Sequence, residues 1–70
     1  MTVEQIGTNA GEVWKAVAEG ATSIKTVKKA TKLKEKEIFA AVGWLAREGK
    51  VTLSEHDQDP KDLTIVLLDA

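Results

Sequence analysis

SIKTVKKATKLKEKEIFAAVGWLAREGKV, Ser23 to Val51, carries two helical periods with a break between them. Ser23 is a good N-cap, and Ile24, Val27 and Ala30 follow at helical spacing. This predicts a short helix from Ile24 to about Ala30 with a narrow apolar edge. Thr31 to Leu33 breaks the pattern and makes the turn. Ile38, Ala41, Val42 and Leu45 then mark the buried stripe of a second helix, from about Lys34 to Glu48, with Gly49 as its stop. Beyond Gly49 the period falls to two. Val51 and Leu53 alternate with Thr52 and Ser54, which predicts a strand with one buried face.

On the N-terminal side, Ile6, Ala10, Val13, Trp14 and Val17 form one apolar stripe, predicting a helix from Thr2 to Gly20. Thr2 and Gln5 fit a capping box. Gly7 and Gly11 lie inside this helix, each costing roughly 1 kcal/mol of helix propensity. They stand four apart, where another backbone can approach closely. On the C-terminal side, His56 to Asp62 is a polar loop containing Pro60. Leu63, Ile65 and Leu67 alternate with Thr64, Val66 and Leu68 as a second strand, closing an antiparallel hairpin. The order is α+β: a three-helix helix-turn-helix core followed by a hairpin.

Seventy residues are expected to form a single domain, residues 1–70, with one modest core. The absence of cysteine excludes disulfides and thiolate-ligated metals. No apolar run approaches the roughly 20 residues that span a bilayer. The chain opens on a polar run, so a soluble cytoplasmic protein is expected. Net charge is only −1, but it is unevenly spread. Residues 23–36 hold six lysines against Glu35, while residues 55–70 hold five carboxylates against Lys61. A basic segment of that density points to a polyanion.

The stretch from Ser23 to Val51 resembles winged helix-turn-helix proteins at Ile24, Val27, Ala30, Leu33, Ile38, Val42, Leu45, Gly49 and Val51. With GWLAREGK, Gly43 to Lys50, the chain resembles a family of short, single-domain bacterial winged-helix proteins of unassigned function. The resemblance implies a winged helix, with the hairpin as the wing. With the lysines of the helix-turn-helix, the leading expectation is a small module that binds nucleic acid, double-stranded DNA, with a regulatory role. Three positions depart from the pattern. Lys32 stands in the turn where many such motifs have Gly. Lys34 stands where Ser or Thr would cap the second helix of the motif. The wing loop carries Glu55, Asp57, Asp59 and Asp62, and such acid repels phosphate.

Lys25, Lys28, Lys29, Lys32, Lys34 and Lys36 are the candidate nucleic-acid contacts. They cluster where a helix-turn-helix meets the DNA backbone, and lysine supplies charge to phosphate without reading bases. The first two turns of the last helix offer no Arg, Asn or Gln for bidentate base contacts, so binding is expected to be mainly non-specific. The middle of that helix is apolar almost all round. Val42 and Leu45 fall within about 40° of Ile38, whereas Phe39 and Trp44 lie about 100° and 240° away. Phe39 is expected at the core margin. Trp44 is open between burial and contact. The alternative function is therefore a protein-interaction or dimerisation surface made of Phe39, Ala40, Gly43, Trp44 and Arg47. His56 is the only histidine, and there is no phosphate loop or nucleophile motif. No enzyme activity, cofactor or metal is expected. The acidic loop reads as a solvated hairpin tip.

Overall fold

The computed structural model describes residues 1–68. Three helices, α1 (Val3–Ala18), α2 (Ile24–Thr31) and α3 (Glu35–Arg47), precede two strands, β1 (Val51–Glu55) and β2 (Leu63–Leu67). This is the three-helix core and hairpin expected of a winged helix.

Local chemistry sets each boundary. Thr2 Oγ1 accepts the Gln5 N–H at 3.1 Å, and Gln5 Oε1 accepts the Thr2 N–H at 2.8 Å, so the expected capping box starts α1. The helix ends at Ala18, two residues before Gly20, which takes a left-handed φ of 120° outside it. The Gly20 and Ala21 N–H groups donate to Val17 and Ala16, which satisfies the last carbonyls. Ser23 and Thr26 bond reciprocally at the start of α2. Lys34 gives α3 no side-chain cap, and Glu37 Oε1 instead accepts the Lys34 N–H at 2.8 Å.

Lys32 takes the left-handed conformation, with φ of 60°, and donates its N–H to the Lys28 carbonyl at 2.8 Å. A Cβ in that region clashes with backbone, at about 1–2 kcal/mol. Lys32→Gly should therefore stabilise the fold by about 1 kcal/mol, or about 4–8 °C in a thermal melt of a domain this size. An unchanged or lower melting temperature would show that the turn is not strained.

The core lies between the helices and one face of the hairpin. Ile38, Ala41, Val42 and Leu45 of α3 are buried as their spacing predicts, against Ala10, Val13 and Val17 of α1 and Ile24 and Val27 of α2. Each fully buried Val or Ile contributes roughly 1.5–3 kcal/mol. β1 and β2 pair antiparallel, with Val51 opposite Leu67 and Leu53 opposite Ile65. Val51 and Ile65 close the core from below. The Ile65 N–H donates to the Thr22 carbonyl at 2.8 Å, so the residues before α2 add a short third edge to β2.

Two apolar expectations are corrected. Trp14 is 42% exposed, because the core lies toward Val13 and Val17 and leaves Trp14 on the flank of α1. Ala16, on the other flank, is buried in its place. Ala30 is exposed, since α2 turns its Ile24–Val27 edge inward and Ala30 lies off that edge.

Candidate nucleic-acid interface

The six lysines follow one another along α2, the turn and the first turn of α3, and all are solvent-exposed. α2 places Lys25 and Lys29 one turn apart on its outer side, because Ile24 and Val27 take the inner side. Lys32 and Lys34 flank Leu33, which is half-buried and packs on the core. Leu33 thereby pins the turn and holds both lysines outward. Lys36 faces away from Ile38 on α3.

Two of the six are already engaged by carboxylates. Lys28 Nζ lies 3.8 Å from Glu35 Oε2, bridging the end of α2 to the start of α3. Lys25 forms an ion pair with Asp59 of the wing loop. Among the described residues, Lys29, Lys32, Lys34 and Lys36 make no ion pair.

The acidic loop is only in part the solvated tip that its composition predicts: Glu55, Asp57, Gln58, Pro60 and Lys61 are exposed, but its end is not. Asp62 is buried, at 4% exposure. Its Oδ1 accepts the N–H of Lys25 at 3.3 Å and that of Leu63 at 2.8 Å. A carboxylate there complements the positive end of α2. His56 Nδ1 accepts the Gln58 and Asp59 N–H groups, each at 3.2 Å, and the Asp62 N–H donates to the Asp59 carbonyl at 3.0 Å. Seven residues rich in acid thus fold back as an ordered bend on the first turn of α2. Local pattern gives no signal of this, because the contact joins residues 37 apart.

The Lys25 ammonium, with help from the Lys61 N–H, holds the Asp59 carboxyl below the ordinary aspartate range. The same hydrogen bond raises Lys25 above the ordinary lysine value. For a depressed carboxylate, the stabilising contribution is full above the unfolded pKa and is lost as pH falls through the folded one. Acidification below the ordinary aspartate range should therefore release the loop from Lys25. The check is the pH titration of the Lys61 amide shift, since that N–H donates to Asp59. Wild type should show a depressed acid transition, absent in Asp59→Asn. Identical curves would show that the ion pair does not hold the loop.

The outer-face candidates divide. Phe39 is 40% exposed and so is not at the core margin, because no neighbouring element reaches over that side of α3. It shares the outside of α3 with Lys36, Gly43 and Arg47, all exposed, and Ala40, half-buried. Trp44 is 39% exposed but lies about 140° further round the helix from Phe39. It faces α1, where it lines a groove with Gly7, Gly11 and Trp14. Trp14 thus joins the contact candidates. Its position at the edge of the α1 stripe, beside the paired glycines, was the available signal.

Residues 1–64 match a family described as winged helix-turn-helix domain (DUF2582). Among solved structures, the chain is similar to protein BT2368 from Bacteroides thetaiotaomicron, determined by solution NMR. Identity is 34% and the TM-score 0.79, over 96% of this chain and 79% of that one. It is also similar to BpsR from Bordetella bronchiseptica, whose DNA binding is regulated by 6-hydroxynicotinic acid. There identity is 19% and the TM-score 0.77, over 97% of this chain and 52% of BpsR. At that identity the likeness to BpsR is one of fold, and the chain spans about half of BpsR's length. No curated protein matches the chain. No helix among the described residues is long and apolar enough to cross a membrane.

Proposed function

The chain belongs to the winged helix-turn-helix domain family (DUF2582), and from that premise we propose that it binds double-stranded DNA, mainly without sequence preference, as a small regulatory module. The observation that carries this is the run of Lys29, Lys32, Lys34 and Lys36, exposed on α2, the turn and α3 and outside any ion pair among the described residues. In this fold those positions flank the helix that enters the major groove. BpsR, built on the same fold, binds DNA, which supports the class of ligand. Phe39 on the outside of α3 suits contact with thymine methyl groups, but it supplies no hydrogen bond to tell one base from another. The charge therefore carries the affinity.

The experiment is amide-shift mapping with a random duplex. At low salt, shifts concentrate on residues 25–36 and the outer side of α3, and they vanish at moderate salt. An absence of shifts at low salt overturns the reading. A second reading is favoured by the exposure of Phe39: Phe39, Ala40, Gly43 and Arg47 form a protein-contact face, with Trp44 at its margin. Shifts at these residues that persist in high salt, with a protein in place of DNA, would support it.

A further inference from the structure

The flank of α1 facing Trp44 carries an apolar surface that the DNA reading does not use. Gly7, Gly11, Trp14, Trp44 and Lys50 line an open groove of about 310 Å³ between α1 and α3. Its two indoles are 42% and 39% exposed. The glycines are not explained within the chain. Both lie in helical α1 with ordinary negative φ, and a Cβ built on either meets no atom within 4 Å. Alanine would fit at both positions and favour the helix by roughly 1 kcal/mol each. What the glycines leave is a bare strip of backbone beside a protruding indole. Gly7, Gly11, Trp14 and Ala18 also step by four, three and four, the spacing of a helix–helix seam.

We propose that this face receives a second copy of the chain, α1 against α1, antiparallel across a two-fold axis passing near Gly11. The surface is self-complementary in shape. A knob, Trp14, and a hole, Gly7, lie on either side of Gly11, so the two-fold seats each Trp14 over the other copy's Gly7. It is self-complementary in charge as well. Glu4 and Lys15, both exposed, flank the glycine strip on the same side in the first and second halves of α1, with Glu12 and Glu19 further round the helix. The antiparallel arrangement sets Glu4 of each copy toward Lys15 of the other, whereas a parallel one stacks like on like. The exposed indole area is on the order of 100 Å² per tryptophan, well below the roughly 800 Å² per partner of a standard stable interface. The dimer is therefore expected to be weak and concentration-dependent. This inference does not depend on DNA binding.

The test is sedimentation equilibrium of the whole chain over a micromolar-to-millimolar series. Wild type should associate reversibly as a dimer. Trp14→Ala should weaken association by about tenfold or more. Gly11→Gln places a side chain beside the two-fold axis, where the two backbones approach, while improving helix propensity, so it should raise helicity yet abolish the dimer. If Trp14→Ala fails to fold by circular dichroism, Gly11→Gln decides alone. A wild-type monomer at millimolar concentration overturns the proposal. So does a dimer whose constant changes by less than about twofold in Gly11→Gln.

Discussion

Raising the salt from about 50 to about 200 mM will weaken duplex binding by about a hundredfold, because four lysines outside ion pairs give a log–log slope of roughly −3.6. The number of phosphate contacts sets this figure, and the structure limits that number. Lys25 and Lys28 already have carboxylate partners, so Lys29, Lys32, Lys34 and Lys36 do the neutralising. Replacing one of these four by Gln should flatten the slope by about 0.9 and weaken binding equally for all sequences. Asp59→Asn should act in the opposite sense. It frees Lys25 and removes a negative charge from the approach path, so the slope steepens by about one contact. The measurement is a set of fluorescence-anisotropy titrations at several salt concentrations. Binding that ignores salt, or a slope unchanged when Lys29 and Lys36 are both replaced, would remove the lysine run from the interface.

Ile38→Ala will cost about 3–4 kcal/mol of stability, in the usual range for a large-to-small core change. Ile38 is fully buried, at the centre of the stripe that α3 presents to α1 and α2. A 70-residue chain has on the order of 4–10 kcal/mol to lose, so this one change brings the fold close to its limit. The adjacent Phe39→Ala removes more atoms but should cost only about 1 kcal/mol, since that ring is already 40% exposed. Urea midpoints of the two variants make the comparison. Equal losses would mean that Phe39 is packed far better than its exposure indicates.

That contrast also marks how far the sequence was legible. Ile38, Ala41, Val42 and Leu45 define a direction by themselves, and the structure buries all four. The same holds for Val51 and Ile65, whose alternation leaves one choice of face. Ser23 and Thr2 cap as expected, because capping is settled within three residues. Phe39 and Trp14 were not legible in this way. Each stands at the edge of a stripe, where burial depends on whether another element reaches across. No local spacing records that. Asp62 is the extreme case. Its composition-neighbours are loop residues, yet its partner is the first turn of α2, brought there only by the completed hairpin. The lysine run was visible in the sequence, but its division into engaged and unpaired members depended on the same long-range contact.

The bend of residues 56–62 also makes the chain a closed circuit. Asp59 and Asp62 fasten the end of the wing loop to the start of α2, next to the Ile65–Thr22 hydrogen bond, so the helix-turn-helix and β1 lie inside one loop held at its ends by non-covalent contacts. Closing a circuit of that length costs conformational entropy, which the contacts at its ends must offset. The order of α2 is therefore tied to the order of the wing: a cut anywhere in the bend would loosen the first turn of the helix-turn-helix, although no residue of that turn is touched.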